Sequence, residues 1–249
     1  MRLWHWLNAL TVFVMLMSGA MIFNAHPRLY WGQYGANNET AWLEIGHTDV
    51  AGFLRVGQVT IPTTGVLGLS ANSDRAFPPL VTIPSTYSLA DARQWHFAFA
   101  WLLVVPGLLF WAWGFVSRHV QHDLAPTPRE LHPANIWHDI TNHARLRFHI
   151  GESARRYNIL QKLSYVGVIF VLLPTVVLTG LTMSPGINAA WPWLLDLFGG
   201  RQSARSIHFI CATLLFGFIV VHLVMVVLAG PFNEMRSMIT GWYRLPKEK

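Results

Sequence analysis

Charge is scarce in this chain. Only 12% of its 249 residues are Asp, Glu, Lys or Arg, about half the roughly 25% of an average soluble domain, which disfavours a fully solvated fold. Cysteine is rarer still, with Cys211 standing alone. A single thiol excludes an internal disulfide, a C-x-x-C-H haem attachment and a four-thiolate iron–sulfur cluster. At helical spacing inside an apolar run, Cys211 reads as a small packing residue. Any redox centre must therefore be held by histidine. Internal repeats and low-complexity tracts are also missing. Met17-Ser-Gly-Ala-Met21 and Leu178-Thr-Gly-Leu-Thr-Met183 are alike over too short a stretch to define one.

What the chain has is apolar sequence, 53% of it. Four uninterrupted stretches, 3–24, 92–116, 160–183 and 206–229, each supply the roughly 20 helical residues that cross about 30 Å of hydrocarbon. The shorter run 187–198, with Trp191, Pro192 and Trp193, fits an interfacial or re-entrant piece anchored at headgroup level. The first stretch is too long for a signal peptide, and Phe23-Asn24-Ala25-His26-Pro27 is a poor cleavage site, so it is expected to be retained. Ser88-Leu-Ala-Asp91 resembles a capping box opening the second span. Gly19, Gly107, Gly167, Gly180 and Gly217 lie inside the spans, where glycine allows close helix contact. Gly19 and Gly180 would also leave room for a flat macrocycle.

The formal charge of +6 is unevenly spread. Arg118, Arg129, Arg145, Arg147, Arg155, Arg156 and Lys162 cluster between spans two and three, and the tail carries Arg236, Arg244, Lys247 and Lys249. The positive-inside rule puts both termini and the 117–159 loop in the cytoplasm and the 25–91 segment outside. This distribution accounts for the positive charge without nucleic acid. The expected fold is an all-α membrane protein, a bundle of four transmembrane helices forming one domain over 1–249, with 25–91 as an external insert. Within that insert, Phe53-Leu-Arg-Val-Gly-Gln-Val-Thr-Ile61 suggests short strands around a turn. A structureless loop of this length would be unusual, so the insert is a small lid or a docking surface, and docking is the preferred reading.

Twelve histidines are present, four of them within the spans: His5, His96, His208 and His222. An imidazole in hydrocarbon is costly unless bonded, which makes each a functional candidate. A helix–helix hydrogen bond would satisfy any one of them alone. His208 and His222 are 14 residues apart, which places them on one helix face about 21 Å apart along the axis. His96 lies about as far into its span from the outside as His208 does, and His5 approaches the level of His222. Two imidazoles facing each other at one depth are what a six-coordinate haem iron needs inside a bundle. Zinc needs four ligands converging at one level, which pairs so far apart cannot supply. The cytoplasmic-side histidines His119, His122, His132, His138, His143 and His149 have the simpler reading of solvated residues. His26 is a rival ligand at the end of the first span, but Pro27 implies that the helix is ending there.

Arg2-Leu-Trp-His5-Trp6, the lone histidine early in span two and His208-x13-His222 resemble the diheme cytochrome b membrane subunits of bacterial formate dehydrogenases, nickel–iron hydrogenases and thiosulfate reductases. The likeness covers all four spans. It implies two haems b, an inner one on His5 and His222 and an outer one on His96 and His208, the same pairs that depth suggests. Tyr157-Asn158-Ile-Leu-Gln161-Lys162 resembles the family's quinone-pocket segment, with Leu160 where the family has glycine. This implies quinone contacts for Asn158 and Gln161; interfacial polar residues are the alternative. The resemblance further implies an electron-transfer and quinone-binding subunit of the bacterial inner membrane, not catalytic on its own. Its expected partner is a periplasmic catalytic subunit, and the long outer segment favours a molybdenum oxidoreductase. A stand-alone quinone oxidoreductase with a diffusible donor, or a haem-free anchor or transporter, are the alternatives.

Overall fold

The computed structural model describes residues 2–36, 38–145 and 158–243; Arg147, His149, Arg155, Arg156, Tyr157, Arg244, Lys247 and Lys249 lie outside the described residues. The chain begins with α1 (Arg2–Asn24). This helix stops ahead of Pro27, and its last residue is pinned: the Asn24 amide donates to the Phe77 carbonyl at 3.0 Å and its side-chain oxygen accepts from the Phe77 N–H at 2.7 Å.

Four short strands follow, β1 (Arg28–Leu29), β2 (Leu43–His47), β3 (Gly52–Val56) and β4 (Val59–Pro62). They form one antiparallel sheet in sequence order, with Ile45 opposite Leu54 and Val56 opposite Val59. The strands expected around a turn at 53–61 are β3 and β4. Gly57 at the tip has φ 58°, a conformation glycine adopts without steric penalty and two-residue hairpins require. The sheet carries one buried acid, Glu44, which sits across from both Arg28 and Arg55 in register and pairs with both guanidinium groups.

α2 (Leu89–Val116) opens where Ser88 Oγ accepts the Asp91 N–H at 3.3 Å, the cap that the sequence suggested. α3 (Pro133–Ala144) precedes the third long helix. That helix consists of α4 (Ile159–Gly167), a π-helical segment Val168–Leu172 and α5 (Leu173–Thr182). The 187–198 run forms two short helices, α6 (Pro185–Ala190) and α7 (Trp193–Leu197), rather than a span. Gly199 and Gly200, with φ 72° and 106°, turn the chain into α8 (Arg201–Ala229). Gly230 then ends it at φ 111°, and Pro231 begins α9 (Pro231–Thr240), where a missing N–H costs nothing. The helices Arg2–Asn24, Leu89–Val116, Ile159–Thr182 and Arg201–Ala229 are long and apolar enough to cross a membrane. The protein is a multi-pass membrane protein.

The chain forms two compact units, one of His5–Pro106 with Thr175–Ala212 and the other of Met1–Trp4, Gly107–Pro174 and Thr213–Lys249. In the first, Phe23, Leu29, Leu43, Ile45 and Ala76 make a core, with Trp42, Leu54, Phe77 and Phe209 packed on it. Each buried Phe, Leu or Ile side chain of this core contributes roughly 1.5–3 kcal/mol by leaving water, and with Phe23 of α1 and Phe209 of α8 in the cluster the 25–91 segment is folded against both helices. It still exposes Val59, Ile61, Val66 and Leu80. In the second unit, Trp4 stacks on Phe110 at 4.5 Å and Trp111 on Phe170 at 5.3 Å between ring centroids.

Candidate functional site

The first unit brings two of the four intramembrane histidines together. His96, early in α2, and His208, two turns into α8, face each other with ring centroids 6.2 Å apart and planes at 57°. Each ring leans on a neighbouring helix through the same pair of residue types. Ser18 Oγ on α1 lies 3.0 Å from His96 Nδ1, and Thr179 Oγ1 on α5 lies 3.1 Å from His208 Nδ1. The residue after each hydroxyl is a glycine. A Cβ added at Gly19 would meet His96 Cε1 at 3.4 Å, and one at Gly180 would meet His208 Cε1 at 3.3 Å. The space kept open beside each glycine holds an imidazole ring.

Proton counting fixes the tautomers. A hydroxyl has one hydrogen to give. Ser18 Oγ is 2.7 Å from the Val14 carbonyl and Thr179 Oγ1 is 2.6 Å from the Thr175 carbonyl, so each hydroxyl donates back along its own helix. It then accepts from the histidine, whose Nδ1 must carry the proton. That leaves the Nε2 lone pair of both rings for a metal. Bonds of about 2 Å from one ion to two imidazole nitrogens, plus roughly 1 Å from each nitrogen to its ring centre, place two centroids about 6 Å apart. Among the described residues no group of three or more His, Cys, Asp or Glu could share an ion. Two neutral nitrogen donors, each oriented by a hydroxyl, suit an iron whose equatorial positions are filled by a macrocycle.

The other two histidines belong to separate units. His5 has the Trp6 ring edge-on at 5.3 Å. In the second unit, Phe218 stacks on His222 with centroids 6.0 Å apart, and Phe218 also lines an open groove of about 340 Å³ with Ser164, Gly167, Val168, Val171, Leu172 and Leu214. One wall of the groove is the π-helical stretch of the third helix, a conformation often found at functional sites.

Asn158 and Gln161 form a reciprocal cap at the start of α4. Asn158 Oδ1 accepts the Gln161 N–H at 2.8 Å, and Gln161 Oε1 accepts the Asn158 N–H at 3.2 Å. Both amide oxygens are therefore engaged in helix initiation. Nearby, Lys162, 9% exposed, donates to both Glu130 oxygens at 2.9 and 3.0 Å. Hydrogen bonds from the Thr127 backbone and from Lys162 hold the Glu130 carboxyl below its ordinary range. Asp139 Oδ2 accepts the Ile159 N–H at 3.2 Å. His26, the rival ligand, lies beyond the end of α1, where burial and then the Arg205 and Arg28 guanidinium groups push its pKa down.

Residue spacing alone did not reveal Ser18 and Thr179. Their signal was the likeness of the 17–21 and 178–183 stretches, each a hydroxyl followed by glycine. Comparison with known proteins gives these contacts a context. The profile of a family described as prokaryotic cytochrome b561 matches residues 1–241. Among curated proteins, the chain is 32% identical over 156 residues to the "Putative protein-methionine-sulfoxide reductase subunit YedZ1" of Azospira oryzae, covering 61% of this chain and 72% of that one. It is 24% identical over 181 residues to the "Probable Ni/Fe-hydrogenase B-type cytochrome subunit" of Azotobacter vinelandii, covering 66% and 75%. No solved structure matches.

Proposed function

The chain belongs to the prokaryotic cytochrome b561 family, which makes it a haem b protein of membrane electron transfer, and on that premise we propose that it links a catalytic partner outside the inner membrane to the quinone pool through two haems. His96 and His208 hold one, and His5 and His222 are assigned to the other by their depth in the sequence and the family resemblance. The observation that carries this reading is the pair of facing imidazoles whose Nδ1 protons are held by Ser18 and Thr179. Haem b held there by His96 and His208 would supply a one-electron carrier. Ser18 and Thr179 would orient the two rings and fix their tautomers.

A catalytic partner is supported by two relatives named as a putative methionine-sulfoxide reductase subunit and a probable hydrogenase cytochrome subunit. By analogy this chain serves a periplasmic oxidoreductase, of the molybdenum class that the long outer segment suggested. At the end of the third helix assigned to the cytoplasm, Asn158 and Gln161, whose amide oxygens close the α4 cap, are the quinone contacts that the family resemblance implies. The Lys162–Glu130 pair beside it can move a proton. A reduced-minus-oxidised spectrum of the purified chain should show b-type bands, and haem analysis two haems per chain. Absence of a b-type signal would overturn the reading in favour of a haem-free anchor.

A further inference from the structure

Arg205 precedes His208 by three residues on α8, about 4.5 Å along the helix axis. Its guanidinium donates to the backbone carbonyl of Arg28 at 2.8 Å and to that of His26, and it lies 5.7 Å from the centre of the Phe23 ring. A guanidinium carries five N–H donors and a permanent charge. Two carbonyls use some of the donors and leave the charge unmatched. Among the described residues no carboxylate pairs with Arg205. The buried acid of the same unit, Glu44, is already taken by Arg28 and Arg55. Charges withdrawn from water are otherwise paired, because an ion removed from water without a counter-ion is costly, and Arg205 is partly withdrawn.

The groups around this cation are also incompletely satisfied. Tyr30 is 3% exposed and its Oη has no hydrogen-bond partner, nor do His26 Nε2 and Gln202 Oε1. The His26 and Tyr30 rings stack at 5.8 Å between centroids. Tyr30 is held in place from α8, since Ser206 Oγ donates to its carbonyl at 2.6 Å and Trp42 Nε1 donates to Ser206 Oγ at 2.9 Å. A guanidinium, a phenol hydroxyl and an imidazole N–H are all donors to one kind of ligand, a carboxylate.

We propose that Arg205, with Tyr30 and His26 beside it, forms a carboxylate site that receives the propionate groups of the haem held by His96 and His208. The assignment rests on the haem reading above. Arg205 supplies the counter-charge for those carboxylates, and their charge offsets the cost of partly burying Arg205. A cation so placed also favours the reduced over the oxidised iron, so it sets the potential of that haem and keeps the propionates ionised.

The test uses the purified full chain and its Arg205→Gln, Arg205→Lys and Tyr30→Phe variants, with potentiometric titrations over a range of pH. His208→Ala identifies which signal belongs to this haem. Arg205→Gln should keep both b-type signals and lower the potential of that haem by about tenfold in its equilibrium constant, 59 mV for a one-electron couple. Its potential should also gain a pH dependence near neutrality as the propionates take up protons, and Arg205→Lys should restore the potential in part. Tyr30→Phe, which keeps the ring stack, should produce the same pH dependence more weakly. Unchanged potential and pH dependence in Arg205→Gln would overturn the proposal; if that variant does not fold, the same result in Tyr30→Phe decides against it. A saturable shift in the wild-type potential on adding acetate or succinate would show that the site takes a free carboxylate instead. If His208→Ala removes no haem signal, the haem reading itself fails.

Discussion

Thr179→Val separates the tautomer argument from the ligand argument. The side chain is fully buried, and its hydroxyl both donates to Thr175 O at 2.6 Å and faces His208 Nδ1 at 3.1 Å. Valine fills nearly the same space but offers no acceptor, so the Nδ1–H of His208 loses the Thr179 hydroxyl that orients it. Such a loss costs about 1–3 kcal/mol, or roughly 5- to 150-fold at 1.4 kcal/mol per tenfold. That range overlaps the 10- to 100-fold typical of groups that orient a metal-bound histidine. The assay is capture of haem from the purified chain by excess apomyoglobin. One haem should leave faster by that factor while the other leaves at the wild-type rate. Thr179→Ser, which keeps the acceptor, should behave as wild type. Wild-type rates in Thr179→Val, or equal loosening of both haems, would refute the reasoning.

Other consequences are as direct. Gly19→Val and Gly180→Val drive a branched side chain against His96 and His208, whose Cε1 atoms stand 3.4 and 3.3 Å from the first added carbon. Overpacking of this kind costs about 1–3 kcal/mol and should lower the haem content of the purified variants, whereas Gly217→Val, with open space around it, should not. Glu130 has a folded pKa below 4.5, so its contribution to stability is complete above the ordinary carboxylate range and is lost as pH falls through the folded value. Thermal melts from pH 7 to 3 should show this acid limb flattened in Glu130→Gln. The same variant leaves the Lys162 ammonium buried and should be destabilised at neutral pH by on the order of 2 kcal/mol, discounted for the exposure of Glu130. Leu29→Ala, at a fully buried position of the core shared with Phe23 and Ile45, should cost about 2–5 kcal/mol and speed proteolysis of the 25–91 segment.

The elements that depend on composition were legible in the sequence. Four apolar runs became four long helices, with ends moved by a few residues; α8, for example, starts at Arg201 rather than 206. The move has a local cause, since Gly199 and Gly200 provide the turn and polar residues such as Ser203 and Ser206 are drawn into the helix by bonds to Gly32 and Tyr30. That the His96 and His208 rings come close together was legible because both sit at the same distance from a span end. What was not legible is which side chains of other helices touch them. Ser18 and Thr179 are ordinary helical residues until α1 meets α2 and α5 meets α8. Asn158 and Gln161 drew attention as quinone contacts, and the structure adds a capping role visible in their i, i+3 spacing. Cys211 is buried as a lone thiol, as its place in an apolar helix suggested.

The most direct test of the account is haem analysis of the wild type, His96→Ala and His208→Ala, each purified in mild detergent, with pyridine haemochrome stoichiometry and low-temperature EPR of the oxidised protein. The account predicts two haems per chain in the wild type, one in each variant, and loss of the same low-spin signal from both, because the two imidazoles bind one iron. Loss of different signals from the two variants, or retention of both haems in either, would contradict it.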